Sequence, residues 1–263
     1  MSSIKEKLTN MFEKVMAGTV TREEGTMLLN HLVREDPAGT VAELALLIEN
    51  PPAGVFPKTI IHTIALARNK AFYEIMIESL AHKSEDVSVL AAEELARLRT
   101  NEAREVLSEH LNSEIEHVRK ASAAALVQGF SEGPELVKQH MAGHADPFYR
   151  LTSAQGLLLG GKKGVSALLN MLATGTGGVI VTAAEALMTA PDKLEDSDIP
   201  GVFEALMNAG DRKDAQSAIE LLKVAGSLNG RAKGFESFIQ AFADYPFEAV
   251  KVEAERALRN IRS

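Results

Sequence analysis

A nine-residue frame that recurs about every 31 residues constrains this chain more than any other feature. It is clearest at residues 118–126, VRKASAAAL. Further copies lie at 56–64 (FPKTIIHTI), 87–95 (VSVLAAEEL), 149–157 (YRLTSAQGL), 179–187 (VIVTAAEAL), 211–219 (DRKDAQSAI) and 250–258 (VKVEAERAL). Their starts are 31, 31, 31, 30, 32 and 39 residues apart. On a helix, Val118, Ser122, Ala125 and Leu126 share one face, with Arg119 and Lys120 off it. The ninth position is Leu or Ile in every copy, and the eighth is mostly small: Thr63, Glu94, Ala125, Gly156, Ala186, Ala218 and Ala257. Small residues let a neighbouring helix come close while the branched residue fills the gap. A fixed period near 30 marks an array of stacked helical units.

A second apolar helix is expected between copies, at 41–48, 72–80, 103–111, 135–141, 165–172, around 202–207 and at 235–242. Gly-, Asn- or Pro-bearing turns at 99–101, near 133 and at 160–164 separate the partners. Residues 1–40 read as a capping helical hairpin. Ile4, Leu8, Met11, Phe12 and Val15 keep helical spacing, and Gly18 can end that helix in a left-handed conformation. Thr21 and Glu24 form a capping box for the next helix, whose inner face is Met27, Leu28, His31 and Leu32. Residues 41–263 read as one continuous body. The 39-residue interval points to an exposed loop at 225–234. With aromatics at only 5% and Ala the recurring small residue, the fold class is all-α.

An acidic turn followed by V-R-x-x-A-A-x-A-L and a Leu-rich helix resembles the HEAT repeat, in the short form typified by phycobilisome-lyase proteins. The residues at 116–119 and 146–150 match it best, and the resemblance spans about 41–262. It implies a right-handed α-solenoid whose frame helices line the concave side. It also implies an Asp–Arg ladder, interrupted where Pro57, Ser88 and Ile180 replace Arg, in which Arg119 would brace against an acidic turn such as that of Glu116 or Asp146. Positions 3, 7 and 11 of the frame would then face a groove. The candidate binding residues are Lys58, His62, Val89, Glu93, Arg97, Lys120, Gln128, Leu151, Gln155, Val181, Glu185 and Met188, with Val89, Leu151, Val181 and Met188 as apolar anchors.

Chemistry is hard to place on this pattern. There is no Cys, so thiolate metal sites, disulfides and Cys nucleophiles are excluded. His140 and His144 have i,i+4 spacing but no carboxylate to complete a metal set, and the His-Glu pairs of HEAT-like metal hydroxylases are missing. The Gly-rich stretches 160–164 and 174–178 lack the Lys-Ser/Thr of a phosphate loop and fall where turns are needed. No GxSxG elbow exists. A net charge of −8, no Trp and three Tyr argue against nucleic acid and against HEAT-like DNA glycosylases. No apolar run is long enough to span a membrane. The resulting expectation is a cytoplasmic, non-enzymatic scaffold or adaptor with no metal or cofactor, binding a protein or peptide in its groove. The alternative, resting on the resemblance, is a bilin-lyase-like chromophore-handling protein.

Overall fold

The computed structural model describes residues 3–263, and its regular elements are all helical. In chain order these are α1 (Ile4–Met16), α2 (Arg22–Glu35), α3 (Pro37–Glu49), α4 (Pro57–Ala67), α5 (Tyr73–Leu80), α6 (Glu85–Leu98), α7 (Asn101–Glu109) and α8 (Glu116–Gly129). They continue as α9 (Gly133–Gly143), α10 (Pro147–Leu159), α11 (Lys162–Thr174), α12 (Gly178–Thr189), α13 (Ile199–Asp211), α14 (Ala215–Ser227), α15 (Glu236–Gln240) and α16 (Glu248–Arg262). The helices gather into two compact units, one ending at Leu107 and the other spanning Ser108–Ser263.

In the first unit α2, α4 and α6 pack side by side in one layer, and α1, α3 and α5 in the other. The N-terminal hairpin starts as its residues dictate. Thr21 and Glu24 satisfy each other's backbone amides, at 2.8 and 3.2 Å, and Gly18 has φ +70°. In the second unit α8, α10, α12, α14 and α16 form one layer, with α9, α11 and α13 among the helices behind it. This is the alternating two-helix arrangement of HEAT-like repeats.

Burial reproduces the frame with one correction. In α4, α6, α8, α10 and α12, positions 5, 6, 8 and 9 are buried, and position 3 is exposed only at Lys58 and otherwise half-buried. The small eighth position is most acute at Gly156. A Cβ there would sit 2.5 Å from the Lys120 carbonyl oxygen and 2.8 Å from Ala123 Cβ, so only glycine lets α8 and α10 meet at this point. The copy placed at 211–219 does not hold, because α13 runs through Asp211 and Ile219 is only half-buried. The matching pattern runs from Lys213 to Leu221, with Ser217, Ala218, Glu220 and Leu221 buried at positions 5, 6, 8 and 9, so the extra length is shared between the 34-residue interval before it and the 37-residue interval after it. The loop expected at 225–234 is structured instead. Ala225 and Gly226 are buried in α14, and Asn229–Phe235 is a 3-10 helix packed on α16 with Ala232 fully buried. Gly226 is packed closely, a Cβ there falling 3.1 Å from Ala257 Cα, whereas Gly230 and Gly234 have open space around them.

Candidate functional site

A cleft of about 920 Å³ opens in the first unit. It lies where α4 and α6 end and where α5 and α7 begin. Ile64, Ala65, Leu66, Met76 and Leu98 give it an apolar floor, and Arg68, Asn69, Lys70, Tyr73, Glu74, Glu94, Arg97, Thr100 and Glu102 supply the polar rim. Volumes of roughly 300–1,000 Å³ with apolar walls and a few convergent polar groups are typical of small-molecule sites.

The rim is held from beneath. Asn30 on α2 donates to the Ala67 carbonyl at 3.2 Å and accepts from Asn69 Nδ2 at 2.8 Å. Asn69 in turn caps Ala71 N at 3.1 Å. That chain of bonds fixes the turn carrying Arg68 and Lys70, with Arg68 in the left-handed region at φ +48°. Thr100 accepts from Ala103 N at 3.1 Å, which fixes the start of α7 and so the place of Glu102.

Two kinds of charge line the cleft. Glu94, only 7% exposed, is compensated internally: His62 Nδ1 lies 3.2 Å from its Oε1, and Arg97 Nη1 bonds the same oxygen. Arg97 also reaches Glu93 at 3.9 Å. Arg68, Lys70, Glu74 and Glu102 are exposed, and none forms an ion pair among the described residues. Tyr73 is half-buried. Its covered hydroxyl lies near Thr100 but completes no well-aligned hydrogen bond. Burial pushes the phenol's pKa above its usual value, the Thr100 contact opposes this, and Glu102, Glu74 and Glu105 add to the rise. The hydroxyl therefore stays protonated and able to donate.

The second unit holds its polar groups differently. Arg119 has no exposed surface and, among the described residues, no carboxylate partner. Its Nε donates to Thr152 Oγ1 at 2.7 Å and its Nη1 to the Ser113 carbonyl at 2.6 Å. The guanidinium carbon lies 4.1 Å from the Tyr149 ring centre and 5.1 Å from that of Phe148. Tyr149 stacks on His144 at 4.6 Å, and His144 lies 5.3 Å from His140. Burial, then the neighbouring His144 and Arg119, push the His140 pKa down to about 4. The expected brace to an acidic turn is therefore a bond to a carbonyl, a hydroxyl and two ring faces. Arg150, one repeat later, likewise donates to the carbonyls of His144 and Ala145, at 2.9 and 3.0 Å.

The histidines five residues ahead of a frame start share a structural role. His82 Nδ1 accepts from Ser84 N at 3.0 Å, and His144 Nδ1 from Asp146 N at 3.2 Å. Each fixes the turn entering the next frame helix.

The residues expected to line a groove fall in both units. Lys58, Arg97 and Gln128 are exposed; His62, Val89, Glu93, Lys120, Gln155 and Glu185 are half-buried. Glu185 is pushed upward in pKa by burial and by Glu220, against Lys223 and Arg150. The four supposed apolar anchors, Val89, Leu151, Val181 and Met188, are all half-buried. Of the twelve, Arg97 lines the cleft, and His62 and Glu93 touch it through Glu94 and Arg97. Glu94, Arg68, Lys70 and Tyr73 were missed. Glu94 occupies the eighth frame position, where most copies carry small residues or Thr and only the shifted copy on α14 has another glutamate, Glu220, and that departure was the available signal.

No helix among the described residues is long and apolar enough to cross a membrane, and no three His, Cys, Asp or Glu gather there as metal ligands. No protein-family model matches the chain, and no curated protein matches it. Solved structures do. Human deoxyhypusine hydroxylase, in complex with glycerol, is similar over 98% of this chain and 97% of its own, at 14% identity and a TM-score of 0.39. An engineered protein is similar over 90% of this chain and 96% of its own, at 20% identity and a TM-score of 0.33. The expected non-enzymatic adaptor, with its chromophore-handling alternative, is corrected on this point: the structure matched along nearly the whole chain is that of an enzyme.

Proposed function

We propose that the first unit binds a small amphipathic molecule in the cleft between the ends of α4 and α6 and the starts of α5 and α7. The observation that carries this reading is a cavity of about 920 Å³ whose floor is apolar and whose rim residues Asn69 and Thr100 are held by hydrogen bonds to Asn30 and Ala103, which do not line it. A rim anchored in this way is organised before a ligand arrives, which lowers the ordering cost of binding.

The test is a fluorescence titration with N-phenyl-1-naphthylamine, a neutral apolar probe. The protein should give saturable binding at one site. Leu66→Trp, which fills the mouth, and Leu66→Asp, which charges it, should each weaken that binding by about fivefold or more, because burying an unpaired charge or losing apolar contact costs about 1 kcal/mol or more. Leu66 is 44% exposed, so both variants should fold. Absence of saturable binding, or equal binding by both variants, would overturn the reading.

A further inference from the structure

The charges around the cleft are present in both signs and do not pair with each other. Arg68 and Lys70 sit on the turn after α4, while Glu74 and Glu102 stand in the first turns of α5 and α7, on either side of Tyr73. All four charged side chains are exposed, and none finds an opposite charge within ion-pair distance among the described residues. Elsewhere in the same unit exposed charges do pair, as Lys7 does with Glu35 and Lys83 with Glu49. The rim of the apolar cleft thus presents two cations and two carboxylates, none of them neutralised by an ion pair among the described residues.

We infer, resting on the binding reading above, that the cleft recognises a zwitterionic amphiphile: a small molecule with an anionic and a cationic group joined to an apolar portion. The anionic group would face Arg68 and Lys70. The cationic group would face Glu74 and Glu102. A simple anion leaves the two carboxylates unmatched and repelling, and a simple cation does the same with the two cations. Only a ligand with both charges meets both sets. Glu94 takes no part in this recognition, because His62 and Arg97 already compensate it.

The experiment is displacement of N-phenyl-1-naphthylamine from the full chain by four ligands with the same ten-carbon tail, kept below micelle formation. They are N-decyl-N,N-dimethylglycine (zwitterion), decanoate, decyltrimethylammonium and decanol. The zwitterion should displace the probe about tenfold more tightly than decanol, as two partly exposed charge contacts together allow. Decanoate and decyltrimethylammonium should be weaker than the zwitterion. Arg68→Gln with Lys70→Gln should erase the advantage of the zwitterion over the cation, and Glu74→Gln with Glu102→Gln its advantage over the anion. Both pairs should leave decanol unchanged. If decanol or a singly charged ligand binds as tightly as the zwitterion, the charge inference is overturned while the cleft still binds. If the probe itself does not bind, the cleft reading falls and this inference with it.

Discussion

Arg97 in the first unit and Arg119 in the second show how differently two frame helices use the same side chain. Arg97 projects from the end of α6 with its side chain 60% exposed and pairs with two glutamates. Arg119 sits at the second frame position of α8, fully buried, and is held by a hydroxyl, a carbonyl and two aromatic faces. The corners beside them differ too. In the second unit a Cβ at Gly133 would fall 2.0 Å from the Leu126 carbonyl oxygen, and one at Gly164 only 1.6 Å from that of Leu157. Those glycines are 31 residues apart and close each helix pair tightly. One and two periods before Gly133 stand Glu102 and Ala71 instead of glycine. The cleft opens beside those two positions. Glycine at this register goes with tightly closed pairs in the second unit, and its absence with an open cleft in the first.

The comparison breaks first at Arg119. Arg119→Ala removes a large buried side chain and the donor to the Ser113 carbonyl, while Thr152 keeps its own bonds to the Phe148 and Tyr149 carbonyls, so urea unfolding should show a loss of about 3–5 kcal/mol. Arg119→Met, which keeps volume without a buried charge, should recover a good part of it. A loss below about 1 kcal/mol for the alanine variant would show that the ring contacts and hydrogen bonds do little for stability. Next in size is Gly164→Ala. The added methyl has nowhere to go but against backbone, and should cost about 3 kcal/mol even after the usual gain of alanine over glycine in a helix. Glu102→Ala, at the matching register in the first unit, should fall within about 0.5 kcal/mol of the parent in the same measurement.

A smaller effect concerns pH. His140 ionises near pH 4 in the folded chain and near its ordinary value of 6.5 when unfolded. Between those values the unfolded state binds more protons. The stability that comes from keeping this imidazole neutral is therefore complete above pH 6.5 and is lost as pH falls toward 4. Because the ring is only partly buried, the loss should be about 1–2 kcal/mol rather than the full shift. Chemical denaturation at pH 7 and pH 4.5 should show it, and His140→Gln should flatten that part of the profile. An unchanged slope in the variant would assign the acid sensitivity to other groups.

The architecture was legible because packing repeats. Leu95, Leu126, Leu157 and Leu187 recur in register and are all fully buried, and the Thr21 and Glu24 caps follow from two residue types at a fixed spacing. The register failed near 211, where an inserted turn shifted the frame and no composition signal marked the shift. The site was much less legible. The frame located Arg97 and His62, but helical periodicity treats each helix alone, whereas the cleft is made by the ends of four helices. Arg119 was misread for a related reason. A cation next to a face looks solvated in sequence, and only the approach of Phe148 and Tyr149 from α10 covers it.

The smallest expected effect sharpens the comparison most. Arg97→Ala removes a side chain that is mostly in water and whose partner Glu94 keeps His62, so its cost in urea unfolding should stay under about 1 kcal/mol, several-fold less than that of Arg119→Ala. Glu94→Gln in the same assay should cost more than Arg97→Ala, since it turns a buried acceptor of two donors into a poorer one. That ordering separates two accounts of the triad. If Glu94 is the anchored group and Arg97 its solvated counterion, the glutamate variant is the more damaging one. If Arg97→Ala costs as much as Glu94→Gln, the arginine braces the end of α6 as Arg119 braces α8, and the two units use their arginines alike.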